Sequence, residues 1–253
     1  MDLVVATVQM YLAAARGAAV AFVRSAWALG WLLVCFPVLA ILGTLVSPLG
    51  FAGGFVIAIA QAACAGTYLA SLQDALTMRR PMRFDALRAN LGRYTWDILN
   101  VLFPIFVVEL VVRLGQSELL SLIAGLAVFL FMNPVPELIG RSRAGGLEAL
   151  QEALRFMNDN GVEWLIAQIP STVLIYFLLG GDVFGALTMF GPRMGFVYAG
   201  GTALGAFDGS PTSIVRALAV VGVVHLTMLF RGALYGEMSG GGRRQREWRR
   251  RLG

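Results

Sequence analysis

AWALGWLLVCFPVLAILGTLV, residues 26 to 46, decides the fold. It holds no charged side chain, and as a helix rising 1.5 Å per residue it covers the ~30 Å of a bilayer's hydrocarbon core. The turn Ser47-Pro48-Leu49-Gly50 follows, and a second span is predicted over 51–71. Further spans are read at 96–114, 119–139, 163–180 and 213–230, the fourth interrupted near its end by Asn133-Pro134-Val135-Pro136. Of 253 residues, 58% are hydrophobic and 14% charged, against about 25% charged in a soluble domain. A soluble fold this apolar lacks the polar side chains to cover itself. The chain is therefore read as an all-α polytopic integral membrane protein with about six transmembrane helices.

Arginine placement supplies the orientation. All 20 basic residues are arginine, and an N-terminus on the cytoplasmic side puts 17 of them inside. Only Arg113, Arg193 and Arg216 stay outside. That asymmetry favours an even number of spans, with both termini cytoplasmic in a cell inner membrane. A seventh span over 183–207 would place Pro192-Arg193 at mid-bilayer and turn the basic tail outward, so six is preferred. This Gly-rich stretch, within an outer segment 181–212, is expected to be either re-entrant or flat on the headgroups. Residues 1–15 lack a basic n-region and a small-residue cleavage site, so no cleavable signal is expected there.

A short amphipathic phrase occurs twice. Phe84, Leu87, Leu91 and Tyr94 repeat the spacing of Leu147, Leu150, Leu154 and Met157, which places each set on one helix face. In each copy an acid, an alanine and a leucine follow the first apolar residue. A tryptophan, Trp96 or Trp164, then opens a span that carries a proline, Pro104 or Pro170. The expectation is a single membrane domain of pseudo-repeated two-span units, each introduced by an in-plane elbow helix at the headgroup boundary. Its parts are an N-terminal amphipathic helix (1–25), spans one and two (26–72), two units (79–140 and 141–232) and a basic tail (233–253).

Candidate functional residues are few. His225, the only histidine, falls inside the sixth span, and intramembrane ionisable groups are functional candidates by default. Glu109, Gln61 and Asn100 are further polar residues within spans; the four are grouped as a possible intramembrane polar site, in which His225, Glu109 and Gln61 could form a proton or ion relay. Structural roles serve as well: a neutral imidazole needs only a carbonyl, and Glu109 can pair with Arg113 one turn on. Prolines in the 133–137 stretch free the carbonyls of Leu130 and Met132 to line a cavity or meet a cation, or simply end the helix. Gly54, Ala58, Ala62, Gly66 and Ala70 form a small-residue ridge that lets helix backbones approach closely. Cys35 and Cys64 lack metal or redox spacing and read as small hydrophobes. In the tail, Arg243, Arg244, Arg246, Arg249, Arg250 and Arg251 surround Trp248, a composition suited to anionic headgroups rather than nucleic acid.

No HExxH, GxSxG or Walker A pattern occurs, and one histidine cannot build a zinc cluster. The expected function is accordingly non-enzymatic, with no cofactor and no metal. The chain reads as a subunit or scaffold of a membrane complex, with a protein partner or self-association in the bilayer. The alternative is a small-solute or ion transporter or channel.

Overall fold

The computed structural model describes residues 2–78, 81–141, 146–199 and 211–239. Among these residues all regular structure is helical. The helices are α1 (Asp2–Arg24), α2 (Ala26–Val46), α3 (Phe51–Thr77), α4 (Phe84–Ala89), α5 (Thr95–Leu114), α6 (Glu118–Phe131), α7 (Val135–Arg141), α8 (Leu147–Leu178), α9 (Val183–Thr188) and α10 (Pro211–Ser239). Single 3-10 turns cover Ser47–Leu49 and Gly195–Tyr198.

Seven helical stretches among the described residues are long and apolar enough to cross a membrane, one more than the sequence suggested. The addition is Val5–Arg24. Residues 1–25 were expected to form an amphipathic helix, and the helix that covers them is also long and apolar enough to cross. Met10, Ala14, Ala18 and Ala21 are buried, yet Val5, Val8, Leu12, Val20 and Val23 are exposed on other faces of α1. A helix apolar on several sides needs cover all round.

Pairwise contacts fix how the helices run. Ser25 meets His225 and Gly17 faces Ala233, so α1 and α10 are antiparallel. Tyr68 meets His225 and Leu76 meets Gly232, so α3 runs with α10. The Trp31 indole donates to the Cys64 carbonyl and Gly43 faces Ile57, so α2 opposes α3. Consequently α1 and α2 point the same way. The chain bends at Ser25, whose carbonyl caps α2 by accepting from Ala28 and Leu29, and it does not reverse there.

The 47–50 turn forms as expected, with Gly50 at φ 54 closing the 3-10 turn. In the fourth span α6 ends at Phe131, and α7 resumes after the Asn133-Pro134 break. The two amphipathic phrases fold differently. The first is the separate six-residue α4, stopped by Gly92 at φ 69, a left-handed conformation that terminates helices. The second is no separate elbow: its residues open the unbroken 32-residue α8, which at ~48 Å exceeds a bilayer core. One detail is shared. Phe84 and Leu91, like Leu147 and Leu154, are exposed, whereas Leu87, Tyr94, Leu150 and Met157 are covered by protein.

Of the small-residue ridge, Ala62, Gly66 and Ala70 are buried and Gly54 is exposed. A Cβ on Gly66 would lie 3.0 Å from the Tyr94 carbonyl carbon and 3.1 Å from the Thr95 nitrogen. That glycine is what lets the start of α5 rest on α3. The tail residues Arg243 to Arg251, with Trp248, lie outside the described residues.

Candidate functional site

Four separate stretches of chain converge on Arg231. Its carrier, α10, lies against α8, which presents Trp164 and Gln168 one turn apart, and against α7, which presents Glu137. The Asn133-Pro134 break stops the α6 ladder and leaves the Asn133 carbonyl free to turn inward. The fourth contributor is the stretch after α9.

All five guanidinium N–H groups find acceptors. Nε donates to Glu137 Oε1 at 2.7 Å and Nη2 to Glu137 Oε2 at 2.8 Å, a two-pronged ion pair. Nη2 also donates to the Asn133 carbonyl at 2.7 Å. Nη1 donates to Gln168 Oε1 at 2.8 Å and to the Phe190 carbonyl at 2.9 Å. The Trp164 and Phe190 rings lie within 5.1 and 5.6 Å of the guanidinium carbon, adding cation–π attraction. The two charged side chains are 0% and 2% exposed. Such a pair survives desolvation only because its geometry is two-pronged and its remaining protons are satisfied. Asn133 Oδ1 accepts from both Trp164 Nε1 and Gln168 Nε2, so its amide nitrogen faces the other way. Among the buried side-chain polar atoms of the described residues, Asn133 Nδ2 is without a partner.

The Phe190 contact shows how deep residues 183–199 go. Gln168, which shares Arg231 Nη1 with the Phe190 carbonyl, lies ten residues before the end of α8, or about 15 Å along its axis. The stretch therefore leaves the end of α8 and enters the bundle, and it is not a flat surface loop. Ala186, Met189, Phe190, Met194, Phe196, Val197 and Ala199 are all at most 2% exposed, and Phe196 packs on Tyr68 with ring centroids 5.2 Å apart. Non-helical backbone at such depth needs protein donors and acceptors. Arg231 serves the Phe190 carbonyl, and Gln61 Nε2 serves the Arg193 carbonyl at 2.9 Å.

The four grouped polar residues occupy three places. His225 is fully buried between Ser25, at 2.8 Å from Nε2, and Tyr68, at 2.9 Å from Nδ1. The Ser25 hydroxyl also reaches the Phe22 carbonyl at 3.2 Å, an arrangement compatible with a proton on Nε2 and Nδ1 accepting from Tyr68. Glu109 and Gln61 belong together, joined through the re-entrant stretch: Arg193 Nε donates to Glu109 Oε1 at 2.9 Å, its Nη2 also pairs with that oxygen, and Tyr198 donates to Gln61 Oε1 at 3.1 Å. Glu109 is thus paired with Arg193 from far along the chain, while the side chain of Arg113, its expected partner, lies outside the described residues. Asn100 is exposed, with its Cβ beside Gly146. Cys35 and Cys64 are buried free thiols in contact with one another.

No family model, no curated protein and no solved structure matches the chain. What it does must be argued from this geometry.

Arg231 was not singled out by the sequence, and the 133–137 stretch was read for freed carbonyls and not for the side chains of Asn133 and Glu137. The sixth span was ended at Phe230, which left Arg231 as an interfacial topology charge. Its signal was present: one arginine followed by further apolar helix needs a buried acid, and Glu137 is an acid within the proline-broken stretch of the fourth span.

Proposed function

We propose that the chain is a non-enzymatic multi-pass membrane protein that passes a small solute or ion. One observation carries the reading. Two interrupted stretches of backbone far apart in sequence, 132–134 and 189–194, meet on a single buried guanidinium among apolar helices. Broken helices and re-entrant backbone are how transporters build sites inside a bilayer, because the freed carbonyls and amides become ligands. With all five Arg231 donors filled, the conformation described is a closed one. A cavity of about 20 Å³ beside Leu72, Glu137 and Met228 has room for about one water.

In this reading the bilayer is crossed six times. Its support is that α1 and α2 share a direction, so α1 adds length without a reversal. Both ends then lie on the arginine-rich cytoplasmic side of an inner membrane. The matched exposure of Phe84 and Leu91 with Leu147 and Leu154 supports contact of both phrases with the headgroup boundary, and the basic tail adds attraction to anionic lipid.

The test is flux from proteoliposomes carrying the full chain, using a panel of monovalent cation, proton and halide gradients. The reading predicts native flux for at least one gradient. It also predicts loss of that flux in Arg231→Met with Glu137→Leu, which keeps volume and removes the polar centre. No flux under any gradient, or undiminished flux in the double variant, overturns it.

A second reading, a subunit held in a membrane complex, is favoured by α6. None of its fourteen residues is buried, and Leu119, Leu122, Ile123 and Leu126 are exposed. Isolation in mild detergent with a stoichiometric partner or as a homo-oligomer supports it, and a monodisperse lone monomer counts against it.

A further inference from the structure

We propose that residues 189–198 form a plug between α2, α3, α8 and α10, latched from the outer side by the Arg193–Glu109 ion pair. This deepens the transport reading and rests on it for its purpose, but its test reads exposure of thiols and not flux.

Four ties hold the stretch in place. Two are interior, the Phe190 carbonyl on Arg231 and Phe196 on Tyr68, and the third, Gln61 bridging the Arg193 carbonyl and the Tyr198 hydroxyl, is only partly covered. The fourth is the ion pair to α5, the one tie between charged groups outside the buried centre, with side chains 50% exposed at Arg193 and 20% at Glu109. An ion pair so placed weakens with ionic strength, and a buried hydrogen bond does not. It also spans separate parts of the chain, since α5 belongs to the third predicted span whereas Arg193 belongs to the inserted stretch.

The backbone beside the latch is strained. Met194 sits at φ 55, a region that residues with a Cβ seldom occupy, and it is wholly buried. Such a conformation persists only while its surroundings impose it. Gly191 and Gly195 flank the latch and give the chain two places to turn. Freeing Arg193 removes the outermost constraint, lets Met194 relax and loosens the Phe190 carbonyl from Arg231. An open route would then reach the Asn133 amide nitrogen that has no partner in the closed arrangement.

The two native cysteines report the movement. Cys35 and Cys64 are 1% and 6% exposed and lie on α2 and α3, two of the helices that flank the plug. The full chain in proteoliposomes is treated with a membrane-impermeant methanethiosulfonate, and the rate of thiol modification is followed by mass. Glu109→Gln is expected to raise that rate about fivefold, the scale of one partly exposed ion pair. The exchange Glu109→Arg with Arg193→Glu is expected to return it to the native rate, which separates a specific latch from general loosening. A Glu109→Gln rate equal to native overturns the proposal. So does an exchange variant that labels as fast as the single one.

Discussion

At the scale of single residues, Arg231 dominates. An arginine wholly removed from solvent is tolerable because Glu137 supplies the opposite charge and two carbonyls and an amide take the remaining protons. Removing one member strands the other. Arg231→Met alone is expected to lower stability by about 3–5 kcal/mol, and Arg231→Met with Glu137→Leu to recover most of that loss, since replacing both charges by apolar groups removes the desolvation cost. Thermal unfolding of the detergent-solubilised variants measures both. If the double variant is no more stable than the single one, the pair is not what costs and compensates there. Gly66→Ala makes a different demand. Its new methyl would meet the Tyr94–Thr95 backbone at 3.0–3.1 Å, which cannot swing aside as a side chain would, so about 1–3 kcal/mol of destabilisation is expected in the same assay. At this scale the sequence was half legible. It marked His225, Glu109 and Gln61 as buried or paired polar groups within helices, but neither Arg231 nor the partners of any of them. Partners come from other helices, and a one-dimensional pattern carries no information about which helices touch.

At the scale of elements, spans announced themselves by composition and breaks by proline. The turn at Ser47–Gly50 and the interruption at Asn133-Pro134 both fall where the prolines and glycine put them. The twice-written phrase was legible as amphipathic helix but not as architecture. The glycines that follow its two copies fall at different offsets and behave differently: Gly92, eight residues after Phe84, takes φ 69 and ends the helix, whereas Gly161, fourteen residues after Leu147, stays helical within α8. Opposite responses to the same substitution follow. Gly92→Ala forces a Cβ into the left-handed region and is expected to cost about 1 kcal/mol. Gly161→Ala is expected to stabilise by up to about 1 kcal/mol, because alanine is the better helix former and its nearest neighbour is the flexible end of Met157, at 3.2 Å. Paired melts of the two variants check this, and a loss at both positions would show that the helix is not continuous through residue 161. The inserted stretch 183–199 was the least legible element. Its glycines and apolar residues suit a surface piece as well as an inserted one, and only the contacts of Phe190 and Phe196 separate the two.

At the scale of the whole molecule, helix direction matters more than helix count. Length and apolarity license seven crossings, yet contacts at Ser25, Gly17, Tyr68 and Leu76, with those of Trp31 and Gly43 on α3, set α1 and α2 in one direction. The sequence reached six from the placement of its arginines, with residues 1–25 left out of the spans. The proposed six-pass reading rests on a separate observation, the absence of a reversal between α1 and α2. The measurement that tests this most directly places one sidedness reporter at the N-terminus and the same reporter at the C-terminus of separate full-length fusions in intact cells. Both are expected to report the cytoplasmic side. Reporters on opposite sides would make α1 a crossing in its own right, and the shared direction of α1 and α2, with the six-pass frame around Arg231, would be wrong.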